Sequence, residues 1–244
     1  MSRIRTPSSS HRILLASLLV CLHGAVGCAS GSYRFPGPLR SLGEASESGR
    51  VAAGGASNAS GDTRRSSSTR TGTHVARIAL RYLDGPGPWG SSGDFRDDCS
   101  GFVEGVYSKA DIALEGSSAD LWETAHEMGV FHERSVPWIG DVVFFENTWD
   151  RNGNGRVDDG ITHVGIVVGT SADGTVSVVH RGGSGISSLT MNLQHRDEAT
   201  GSDGRVWNDN IRRPNRKDPK GTRYGAGELW SGFASFWRAL DTRS

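Results

Sequence analysis

Apolar residues fall at helical spacing in three successive stretches of the chain. Val75, Ile78, Ala79 and Tyr82 occupy i, i+3, i+4 and i+7, and the pattern stops at Asp84-Gly85-Pro86. After the breakers GPGPWGSSGD, Gly85 to Asp94, residues Phe102, Val103, Val106 and Tyr107 line one face of a helix that starts at Cys99. A third helix is predicted over Ser118–Met128, capped by Ser117 or Ser118, with Leu121, Trp122 and Ala125 as its apolar face. The pattern then changes to short runs rich in β-branched and aromatic residues: DVVFFE at Asp141–Glu146, THVGIVVG at Thr162–Gly169 and TVSVVH at Thr175–His180. They read as consecutive antiparallel strands, with Ala172-Asp173-Gly174 as the turn between the second and third and Ile186–Met191 as a fourth. Helices first and strands afterwards predict an α+β fold, helices packed on an antiparallel sheet, rather than an alternating α/β one. His195–Gly227 is polar and irregular, long enough to cover one side of the sheet or border a groove. Leu229, Phe233, Phe236 and Leu240 return to helical spacing and predict a closing element packed on the core.

The N-terminal third has a different character. Residues 1–28 have the basic start, short apolar core (Ile13–Leu22) and small residues of an export signal. Ala25-Val26-Gly27-Cys28 resembles a bacterial lipobox, which implies lipidation at Cys28 and an exported lipoprotein anchored in the outer membrane, facing the periplasm. Residues 29–72, rich in Ser, Gly, Ala and Arg, lack the apolar residues to offset ordering entropy and read as a disordered tether. The folded domain is then 73–241. Lys plus Arg and Asp plus Glu are equal at 27 each with no long basic run, which gives nucleic-acid binding no support. Two of the three cysteines, Cys21 and Cys28, lie in the leader, so Cys99 has no disulfide partner in the body of the protein.

Cys99 stands where a glycine-rich loop becomes a helix, and there the unpaired N–H groups and the dipole favour a thiolate. A cysteine nucleophile needs a base and a third group that fixes the base. His163 at the start of one strand and His180 at the end of the next come to the same end of an antiparallel hairpin. DCSGFV at Asp98–Val103, GDVVFF at Gly140–Phe145 and HVGIVVG at His163–Gly169, in that order, resemble the NlpC-type family of papain-like cysteine peptidases, which cut bacterial peptidoglycan. The resemblance implies Cys99 as nucleophile, His163 as base and His180 as polar third residue. It also implies hydrolysis of amide bonds in stem peptides, commonly between D-glutamate and a diamino acid, with no cofactor required. Two departures stand out. Gly87 occupies the slot where the family carries a tyrosine credited with oxyanion stabilisation, and the interval from His163 to His180 is longer than usual. The competing readings are a CHAP-like amidase cutting between sugar and peptide, and an inactive lipid-anchored peptidoglycan-binding protein. A thiol titrating well below about 8.5 is the expected mark of an active site.

A second site is suggested by DRNGNGRVDD. Asp150, Asn152, Asn154, the carbonyl of Arg156 and Asp158 fall at the alternate positions of a calcium loop, with Gly155 at the sharp turn. Its twelfth position is Ile161 instead of glutamate, with Asp159 as a substitute from a different geometry, so the stretch reads equally as a weak structural calcium site or as a polar hairpin turn held by Asx hydrogen bonds.

Overall fold

The computed structural model describes residues 59–89 and 93–238, with side chains from Arg70 onward. The leader, Cys28 and the first part of the tether lie outside the described residues. Three helices, α1 (Ala59–Leu80), α2 (Cys99–Ser108) and α3 (Ser118–Glu127), precede the strands β1 (Phe131–His132), β2 (Val142–Glu146), β3 (Ile161–Thr170), β4 (Thr175–Gly182) and β5 (Gly185–Asn192). A short helix, α4 (Ala226–Leu229), runs into β6 (Trp230–Ala234). The six strands form one sheet in the order β1-β6-β2-β3-β4-β5, with every neighbouring pair antiparallel. The fold is α+β, as the pattern predicts.

The sheet is covered on both faces. On one, Val142, Phe144, Val164, Ile166 and Val179 pack with Val75 of α1, Phe102 and Val106 of α2 and Leu121 of α3. On the other, Val143, Phe145, Val167, Val178 and Met191 pack beneath Leu193, Ile211, Ala226 and Trp230. The long polar stretch after β5 therefore serves as the cover of the second face. It also runs beside the outer edge of β5: Asp209 N–H donates to Thr190 O (3.0 Å), and Thr190 N–H donates to Asp209 Oδ2 (2.7 Å). Nearby, Asn192 N–H donates to Asn208 Oδ1 (2.9 Å), and at the other end Asp84 N–H donates to Ile186 O (3.2 Å).

Two features depart from the local pattern. The closing element is a strand, paired with β1 through Phe131↔Ala234 and with β2 through Val143↔Phe233. Lying between two strands with both faces covered, it leads into a run, Phe233 to Trp237, that is buried without a break. A doubly buried strand has no alternation, and its apolar residues imitate helical spacing. Leu240 lies outside the described residues. The first helix begins at Ala59 rather than near Thr73, within the stretch read as a tether. No proline interrupts 59–80, so turns nucleated by the packed residues Val75, Ala76, Ile78 and Ala79 extend upstream.

Asp141 ties the far end of the sheet together. It is 0 % exposed and accepts from Trp138 N–H (2.7 Å), Ser235 Oγ (2.7 Å) and Trp237 Nε1 (2.9 Å), with His132 Nε2 at 3.0 Å. Beside it the buried Tyr107 hydroxyl of α2 donates to Gly140 O at 2.6 Å. The Gly-Asp pair before β2 thus joins α2, β1 and the end of β6.

Candidate active site

The site is built where two features meet, the N-terminus of α2 and the open end of the β3–β4 pair. Asp98 caps α2 from an extended conformation, accepting the Gly101 N–H at 2.8 Å and the Ser100 hydroxyl at 2.9 Å. Cys99 follows as the first helical residue and is half-buried. The backbone groups of Val164, Ser100 and Cys99 itself act on its thiol, each drawing its pKa down. Val164 is the residue after His163, so the thiol is set against the strand that carries the expected base.

His163 and His180 are brought together. The β3–β4 ladder starts at Ile166↔Val179, so both histidines lie just past its end. His163 Nε2 stands 2.8 Å from His180 Nδ1, with the rings edge to face at 80°. The partner of the other His180 nitrogen is the hydroxyl of Ser187, across the β4–β5 pair, 3.4 Å from Nε2. Gly165 makes room for this arrangement. A Cβ there would lie 2.6 Å from Val178 Cγ1 and 3.1 Å from the His180 Cβ, closer than packed side chains allow.

Burial dominates the electrostatics. His163 is pushed down to about 3, first by burial and then by the neighbouring His180, and burial alone brings His180 down to about 4. Both rings are therefore neutral at pH 7. The thiol of Cys99 is pushed up from its ordinary value, mainly by burial. The helix-end N–H groups lower it, as expected from its position, yet desolvation is the larger effect and Asp98 adds to it. Burial thus works against the expected thiolate and favours an uncharged thiol at rest.

The depressed imidazoles make a pH prediction. Between pH 6.5 and about 3 to 4 the unfolded chain binds protons that the folded chain does not. Stability accordingly falls as pH is lowered through that window. Urea unfolding of the His180→Asn variant between pH 6 and 4.5 is expected to show a shallower slope than the parent, by up to about 1.4 kcal/mol per pH unit for one proton. An unchanged slope would contradict the assignment of that proton to the histidine pair.

The structure adds a bridge that sequence reasoning missed. Arg181, next to His180, donates through Nε to Asp97 at 2.8 Å, which fastens the loop before Cys99 to the end of β4. The two residues are 84 positions apart, and only the topology brings them together. Gly87, in the expected tyrosine slot, lies under the indole of Trp89, and a Cβ at Gly87 would run into that ring. The slot is closed to any side chain in this conformation. Asp150, Asn152, Asn154, Arg156 and Asp158 lie together on the loop between β2 and β3, four of them joined by side-chain hydrogen bonds within it.

Residues 86–204 match the NlpC/P60 family. Among curated proteins, the chain is 32% identical over 112 residues to "Probable endopeptidase p60" of Listeria grayi, covering 46% of this chain and 19% of that protein. It is 34% identical over 96 residues to "Bifunctional muramidase/DL-endopeptidase CwlT" of Bacillus subtilis (strain 168), covering 39% of this chain and 26% of that protein. The p60 protein of Listeria monocytogenes serovar 1/2a is 33% identical over 91 residues, 37% of this chain and 16% of the relative. The chain thus spans only about a fifth of the length of these relatives. No solved structure matches it. With DCSGFV opening α2 and HVGIVVG forming β3 inside the matched segment, the domain over residues 86–204 belongs to the NlpC/P60 family.

Proposed function

We propose that this chain is a peptidoglycan endopeptidase that hydrolyses amide bonds in stem peptides, with the bond between D-glutamate and a diamino acid as its target. The observation that carries the reading is the 2.8 Å contact between His163 Nε2 and His180 Nδ1 beside the sulfur-bearing end of α2. If His180 donates from Nε2 toward Ser187, its Nδ1 accepts the Nε2–H of His163. That tautomer leaves the His163 Nδ1 lone pair free to take the Cys99 proton. Cys99 then attacks the scissile carbonyl to form a thioester, and His163 returns the proton to the departing amine. A water deprotonated by His163 releases the acid and restores the thiol. A backbone N–H at the start of α2 receives the developing oxyanion in this reading. Thiol and imidazole are each neutral at rest, so His163 acts as a general base during attack and not as half of a standing ion pair. The endopeptidase names of the Listeria and Bacillus relatives support the same reading.

An outer-membrane lipid anchor at Cys28 completes the proposal, with membrane and peptidoglycan as the two surfaces engaged. Mass spectrometry of sacculi incubated with the full chain tests the chemistry. Glycan strands that keep only L-alanyl-D-glutamate, together with free diamino-acid peptides, are expected. Sugar chains stripped of the whole peptide would indicate the amidase reading, and no release at all would indicate a binding protein.

A further inference from the structure

The loop between β2 and β3 contains carboxylates that its own hydrogen bonds satisfy only by half. Asp150 Oδ2 accepts the Gly155 N–H at 2.9 Å, and Asp159 Oδ1 accepts the N–H groups of Arg151 and Asn152, both at 3.0 Å. The other oxygen of each, Asp150 Oδ1 and Asp159 Oδ2, is sealed from solvent with no donor. Asp159 is only 5 % exposed, and its bonds to the first turn of the loop set its carboxylate inside. The guanidinium of Arg151 donates to the backbone carbonyl of Asp159 at 3.2 Å. A buried anionic oxygen without a donor carries a large desolvation penalty, and two in one ten-residue loop leave negative charge that the loop's own N–H groups do not cover.

The neighbouring groups are hard oxygens. Asn152 Oδ1 and Asn154 Oδ1 each accept one backbone N–H, from Asn154 (2.9 Å) and Arg156 (2.7 Å), and retain a second lone pair. Asp158 accepts the Nδ2–H groups of both amides, each at 3.1 Å, and so steadies them. Among the described residues no three His, Cys, Asp or Glu side chains form a metal cage, so carboxylates alone do not make this site. We propose that residues 150–159 bind one divalent cation of the calcium class, held by Asp150 Oδ1, Asp159 Oδ2, the Asn152 and Asn154 amide oxygens and the Arg156 carbonyl. Calcium accepts six to eight oxygens in irregular geometry, whereas magnesium demands a near-ideal octahedron that a loop with this mixture does not offer. Ile161 provides no side-chain oxygen at the twelfth position, and Asp159 reaches the interior from two residues earlier. The dissociation constant is therefore expected near about 10⁻⁴ M, the range of extracellular calcium modules.

The loop closes directly onto β3. Asp159 N–H donates to Asn147 Oδ1 (2.8 Å), Asn147 N–H to Gly160 O (2.9 Å) and Thr148 N–H to Thr162 Oγ1 (2.8 Å), one residue before His163. Calorimetric titration of the chelator-treated full chain with calcium chloride alone tests the site, with thermal melts in 5 mM calcium or magnesium beside it. One site per chain and a Tm rise of at least about 3 °C in calcium, with a smaller rise in magnesium, are expected. The exposed Asn154→Ala variant, which leaves both buried carboxylates in place, should bind at least about tenfold more weakly. Absence of heat and of any shift in the parent chain overturns the proposal, as does an equal response to magnesium or undiminished binding by the variant.

Discussion

Replacing Cys99 with alanine is expected to reduce peptide release from sacculi by at least about 10³-fold, the scale on which loss of a covalent nucleophile is felt. The melting temperature should stay within about 3 °C of the parent, because the side chain is small, half-buried and not a cap of its helix. Cys99 is the only cysteine among the described residues, and no other thiol stands beside His163. A serine at this position should be nearly as inactive. Its hydroxyl needs a stronger base than a thiol does, and burial holds His163 near 3. Alkylation of the parent with iodoacetamide should abolish the same activity, with a rate that climbs as pH rises, since burial keeps the sulfur protonated at neutral pH. An alanine variant that still releases peptides at the parent rate would sink the mechanism.

The second large effect concerns stability. Asp141→Ala should lower stability by about 4 kcal/mol, the usual cost of stripping one partner from a buried charged network. For a domain of this size that corresponds to a fall in Tm of about 10 °C. The reason is local: the change leaves Trp138 N–H, Ser235 Oγ, Trp237 Nε1 and His132 without their shared acceptor, in a place where water has no access. Asp141→Asn retains one acceptor oxygen and should fall between the two. Thermal melts of both variants check the ordering, and an alanine variant as stable as the parent would show that the network is not what joins β1 and β6 to β2.

Local features were legible in the sequence because they are local. The cap at Ser117, the apolar faces of α2 and α3, and the runs that became β2 to β5 all express short-range patterns. The His163–His180 contact was also readable, since a hairpin returns both ends of two adjacent strands to one place. What stayed hidden depends on distant parts of the chain. Nothing near Trp230 says that β6 will enter between β1 and β2, and a two-residue strand such as β1 has no period to detect. The upward pull of burial on the Cys99 thiol is hidden for the same reason. Its helix position is written in the local sequence, but the burial that outweighs it comes from the packing of α2 against β3. Gly87 reads locally as a missing tyrosine, while the ring of Trp89 folded over it is visible only in the loop's conformation.

The contacts along the outer edge of β5 bear on how copies of this protein behave when crowded together on one surface. An open sheet has two rims, and an unoccupied rim invites a strand from the next molecule. Here one rim ends in the two-residue β1, too short to template a partner. On the other, the outward groups of Ile186, Thr190 and Asn192 already hold Asp84, Asp209 and Asn208 of the same chain. A neighbouring molecule would have to displace these bonds before it could add a strand, which guards the folded domain against strand-by-strand aggregation at high local density.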